Sequence, residues 1–204
     1  QTQVDPATAS LIVNIVPVLT FLFCCFIGWE RFTTTRMLGL CICLGGVAFV
    51  IISPLESTEW SFWALLILGA AICQALYFLA VRQLLTWLPP GLLTALSIWT
   101  GTAGLIALAM QDMLLHDMST GEAILLIYLG VGPTALGFLS WSYVLKTVSA
   151  STASSFLFLV PLCSLFLSWI FLDRLPPTIS FVGGAIVIAG LWLFHMGKQK
   201  TRQE

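Results

Sequence analysis

The sequence predicts an all-α membrane protein: seven transmembrane helices, the remnant of a ten-helix bundle built from two inverted five-helix repeats. Three observations carry this expectation. Hydrophobic residues make up 59% of the chain and charged ones only 8%, with a mean hydropathy of +1.02, far from an ordinary soluble domain. Seven apolar stretches have about the length that a hydrocarbon core roughly 30 Å thick requires of a helix. A proline-centred stretch, Ala7–Ile51, recurs 144 residues later at Ser151–Leu193. Lipid offers no partner for the unpaired backbone of an open sheet, so the spans are helices.

The first span covers about residues 8–28. It starts at the small polar Thr8-Ala9-Ser10, carries Pro17 in mid-run and ends at the corner Gly28-Trp29-Glu30-Arg31. The second, about 37–53, holds Gly39, Gly45 and Gly46, which read as close-packing surfaces between helices. Residues 1–53 thus form the end of a first repeat, and 54–60 an external linker. The remaining spans, about 61–81, 91–110, 123–145, 152–172 and 178–196, form a second repeat over 61–196, followed by a cytoplasmic tail, 197–204. Span six repeats the pattern of span one, with Pro161 for Pro17. Span seven repeats span two, with Gly183, Gly184 and Gly190.

The pairing is specific in order. Thr8, Ala9 and Ser10 match Thr152, Ala153 and Ser154, and Val16-Pro17 matches Val160-Pro161. Thr34, Gly39, Ile42 and Gly46 match Thr178, Gly183, Ile186 and Gly190, while Glu30-Arg31 matches Asp173-Arg174 with a one-residue slip. Such a repeat in a membrane chain marks a transporter built from two halves. Basic residues orient it. With Lys198, Lys200 and Arg202 inside, Arg31, Arg36, Arg82 and Lys146 also fall inside and only Arg174 outside. The residue-1 end is then external and the C-terminus cytoplasmic, in the cell membrane (the inner one, if bacterial). The two copies lie five helices apart, an odd number, so they cross in opposite senses. Stepping the second repeat back by 144 puts the start of the first upstream of Gln1. The expectation is a C-terminal part lacking helices one to three, whose missing wall a second copy or another chain would supply. The competing class is a self-contained seven-helix membrane protein with a receptor or structural role, against which the inverted repeat argues.

Ala9-Ser10, Val16-Pro17-Val18, Gly28-Trp29-Glu30-Arg31-Phe32, Leu38-Gly39 and Gly45-Gly46-Val47 resemble the fourth and fifth helices of the EamA-like family of drug/metabolite transporters. Gly132, Thr134-Ala135, Trp141-Ser142-Tyr143 and Lys146 resemble its eighth helix, and Ser151–Arg174 with Gly183-Gly184 and Ala189-Gly190 its ninth and tenth. Trp29 splits the family's Gly-Glu-Arg corner, and Leu172-Asp173-Arg174 replaces it in the second copy. The resemblance implies a membrane transporter, an exporter or exchanger of small organic metabolites or amphipathic compounds, working by alternating access through a central cavity.

Polar groups and helix breaks inside the membrane each need a reason. Asn14, the chain's only asparagine, sits mid-membrane, and Ser10, Asn14 and Pro17 share one face at i, i+4, i+7 spacing. Pro17 cannot donate to the carbonyl of Val13, nor Pro161 to that of Leu157. Gln74 and Tyr77 share a face of span three, Trp99 lies deep in span four, and Ser140, Trp141 and Tyr143 crowd the inner end of span five. Asn14, Pro17, Gln74, Tyr77, Trp99, Ser140, Trp141, Tyr143 and Pro161 are therefore the cavity candidates. The alternative for each is packing: prolines that only shape helices, an Asn14 bonded to a neighbour, tryptophans that fill space. Trp29, Trp60, Trp63, Trp87, Trp169 and Trp192 read as interfacial anchors.

No Asp, Glu, Lys, Arg or His lies near the middle of a span, so no proton relay is expected. The chain has no nucleophile–base pair, metal cluster, phosphate-cradling loop or buried retinal lysine. No enzyme chemistry, catalytic residue, metal or cofactor is expected, nor any nucleic-acid partner; the partners are lipid and a small-molecule substrate. The six cysteines all lie in apolar spans and read as small packing residues.

Overall fold

The computed structural model describes residues 10, 12–51, 62–109, 119–172 and 178–201. Among them every regular element is helical, and the chain is an all-α membrane protein. Helices α1 (Val16–Phe26), α2 (Thr34–Ile51), α3 (Phe62–Leu84) and α4 (Pro90–Ala109) correspond to spans one to four. α5 (Thr120–Leu129) continues through a π-helical stretch, Gly130–Leu136, into α6 (Gly137–Thr147). α7 (Ala150–Ser155), a 3₁₀ turn (Phe156–Leu159) and α8 (Val160–Leu172) make span six, and α9 (Thr178–Thr201) is span seven. Four stretches, Leu65–Leu84, Thr120–Thr147, Ala150–Phe171 and Ser180–Gly197, are long and apolar enough to cross a membrane unaided. The linker 54–60 and the Asp173-Arg174 corner lie outside the described residues.

By packing, the chain divides into residues 1–79 with 150–204, and residues 80–149. In the first unit α2 and α9 run antiparallel with their backbones in contact. A Cβ added to Gly39 would lie 2.7 Å from the Gly190 carbonyl oxygen, and one added to Gly46 2.8 Å from that of Gly183. Gly39 and Gly183 are repeat mates, as are Gly46 and Gly190, so these two contacts are one contact seen twice. Between them Cys43 Sγ sits 3.5 Å from the Val187 carbonyl, and these residues are themselves 144 apart. The α2–α9 seam is therefore symmetric about Cys43 and Val187, which is what an inverted repeat requires of it. Val18, Phe21, Leu40, Phe158, Leu191 and Phe194 close the core around it.

The second unit has its own polar fastenings. Thr94 and Ser142 hydroxyls meet at 2.9 Å where α4 packs on α6. The Arg82 guanidinium donates to the carbonyls of Leu145 and Val148, acceptors that a helix C-terminus leaves unpaired. Pro133 denies an N–H to the Leu129 carbonyl; the Thr134 hydroxyl supplies the missing donor at 2.9 Å.

The adjacent glycines of α2 offer a test of the packing. Gly46→Leu is expected to destabilise the detergent-solubilised protein by at least about 1–3 kcal/mol through overpacking. Gly45→Leu, where an added Cβ meets nothing within 4 Å, should shift stability by less than about 0.5 kcal/mol. Equal losses in chemical unfolding would contradict the α2–α9 contact.

Candidate functional site

The two prolines break span one and span six at the same place. In each copy the regular helix resumes one residue before proline, at Val16 and Val160, after a departure from α geometry: a two-residue turn at 14–15 in the first copy and a four-residue 3₁₀ stretch at 156–159 in the second. In the second copy the 3₁₀ tightening lets the Val160 N–H donate to the Leu157 carbonyl, which Pro161 could not. In the first copy Asn14 braces its own turn. Its backbone N–H and its Nδ2 both donate to the Ser10 carbonyl, at 3.1 and 2.8 Å.

A cleft of about 490 Å³ lies between these breaks, within the size range of small-molecule sites. Val13 and Val16 line it together with their repeat mates Leu157 and Val160, so it straddles the two-fold relation. Its polar side chains are Ser10, Asn14, Ser164 and, from α3, Gln74; among the described residues no charged side chain lines it.

The structure brings Asn14, Gln74 and Pro161 to one cleft. Pro17 is fully buried and does not line it: the break at Asn14-Ile15 ends the continuous helix on which Ser10, Asn14 and Pro17 would share a face. Tyr77 is half-buried with its ring 6.1 Å from that of Phe78, away from the cleft lining. Trp99 on α4 is 75% exposed, Ser140 and Tyr143 on α6 are exposed, and Trp141 is half-buried; all four belong to the second unit.

One cluster escaped the sequence reading. Glu30 pairs not with its neighbour Arg31, which is exposed, but with Arg36 at 2.6 Å, the two side chains only 12% and 5% exposed. The Ser151 hydroxyl donates to the Glu30 carboxylate, 2.6 and 2.7 Å from its oxygens. It accepts from Arg36 Nη2 at 3.0 Å. The guanidinium lies 4.7 Å from the Phe21 ring and 4.5 Å from that of Phe194, a desolvated cation–π arrangement. Gly28, at φ +82°, turns the chain so that Glu30 can reach it. Arg36, counted in the sequence only as a charge at the end of span two, is also a buried one.

Pro161→Ala restores an N–H able to bond Leu157. It is expected to extend α8 backwards and slow amide exchange over residues 158–162. Unchanged exchange would mean that the surrounding packing, not the proline, sets the break.

Comparison with known proteins agrees with this architecture. The model of the EamA-like transporter family matches residues 61–196, and the chain belongs to that family. It is 29% identical over 207 residues to a "Probable terminal-alkyne amino-acid exporter" of Streptantibioticus cattleyicolor, covering 100% of this chain and 69% of that protein. It is 26% identical over 206 residues to the "Uncharacterized transporter YdfC" of Bacillus subtilis, covering 98% and 66%. A crystal structure with 20% identity superposes with a TM-score of 0.77 over 93% of this chain and 67% of that one. The chain thus spans about two-thirds of the length of these relatives.

Proposed function

From that membership, we propose that this chain carries the solute cleft of a cell-membrane transporter that exports or exchanges small organic metabolites or amphipathic compounds by alternating access. The observation that carries the reading is the cleft itself, mixed polar and apolar, set between helices broken at repeat-equivalent positions. Such breaks are where transporters of this construction bind their solutes.

The lining favours a solute without net charge, since burying an unmatched ion costs far more than burying a hydrogen-bonded head. The Asn14 amide nitrogen is committed to the Ser10 carbonyl, so towards a solute its oxygen is the stronger offer, an acceptor. Gln74, also lining the cleft, brings both donor and acceptor. A compact head bearing a donor beside an acceptor, on an apolar body, suits both; a zwitterionic amino acid is one such compound. The exporter name of the Streptantibioticus relative fits this class. We place the Glu30 corner on the cytoplasmic side, with seven of the eight basic residues.

Counterflow in vesicles tests the reading. Neutral amphipathic amino acids are expected to exchange, and Gln74→Ala to lower uptake about tenfold, the worth of one hydrogen bond, with membrane insertion intact. Undiminished uptake by Gln74→Ala and Asn14→Ala would remove the cleft as the solute site.

A further inference from the structure

We propose that the Glu30–Arg36–Ser151 cluster is a gate that holds one end of the cleft shut and must part and re-form in each transport cycle, an inference that rests on the transporter reading above. Position supports it first. Glu30 and Arg36 flank the corner between α1 and α2, and Ser151 begins α7, which packs against α1 with all six of its residues buried. The cleft lies at the other end of this same antiparallel pair, at Val16 and Leu157. A solute leaving between α1 and α7 meets the cluster.

Chemistry supports it second. A buried ion pair is a poor way to add stability, because desolvation offsets most of its attraction, whereas losing one partner strands a charge. Such a cluster is either whole or broken, as a two-state element must be.

The repeat supplies the third argument. The mate of Arg36 is Ser180, whose hydroxyl is buried and has no hydrogen-bond partner among the described residues. It lines an apolar groove of about 810 Å³ between α8 and α9, which adjoins the cleft through the shared Leu165. The groove positions Leu162, Leu165 and Gly184 are mates of Val18, Phe21 and Leu40, all buried in the core. Among the described residues, that surface is filled and locked in the first copy and forms a groove in the second, as expected of a protein closed at the Glu30 end.

Cys24, 1% exposed beneath the corner, is a native reporter. Its carbonyl accepts the N–H groups of Trp29 and Glu30. In vesicles holding the full-length protein with Cys24 as sole cysteine, alkylation by a small maleimide is expected to be slow and to change on adding a transported amino acid. Glu30→Gln and Ser151→Ala should each speed it about tenfold. Should Glu30→Gln fail to fold, Ser151→Ala, which leaves both charges in place, decides. Alkylation as slow in the folded variants as in the parent, while the parent still transports, would overturn the gate and leave the transporter reading standing. Faster alkylation in a parent that moves no solute would instead sink the transporter reading.

Discussion

The backbone contact between α2 and α9 is the constraint on which the first unit depends. Two helices touch this closely where glycine removes a side chain from the contact, and Gly39, Gly46, Gly183 and Gly190 lie on that seam. Because the glycines recur at the repeat interval, the contact is its own mirror under the two-fold relation, and it fixes the two copies antiparallel. The same relation then sets the prolines of the two copies at equivalent places, so that both helix breaks fall beside one cleft. Packing, inversion and site follow from one spacing.

That spacing is why so much of this unit was legible. Glycine and proline act through the backbone, so their repetition reports geometry directly. Side-chain reach is another matter. Arg36 looked like an interfacial charge because its partners, Glu30 across a turn and Ser151 on a distant helix, are joined to it only by the fold. Pro17 was placed on the Asn14 face by counting along a continuous helix, a count that the proline itself spoils. Asn14 and Gln74, read as costly polar groups in mid-membrane, do line one cleft. Trp99, Trp141 and Tyr143 had no repeat mate in the chain to anchor them.

The two copies repeat their glycines and prolines and differ in the side chains between them. At the position of Asn14 the second copy has Phe158, fully buried in the core, so the cleft takes its carboxamide from one side alone. At the position of Arg36 it has Ser180. A repeated frame with unlike fillings has two ends of unlike chemistry.

The seam between α1 and α7 is where the proposed gate would open such a frame. Buried hydroxyls there are satisfied within their own helices: Thr20 donates to the Val16 carbonyl at 2.8 Å, Ser154 to Ser151 at 3.1 Å and Ser155 to Thr152 at 2.8 Å. These bonds survive separation of the helices, so parting the seam strands none of these three groups. Ser151, by contrast, reaches across to Glu30 and Arg36, so opening there breaks bonds between helices. On the proposed gate, the seam separates by releasing the end that Ser151 fastens.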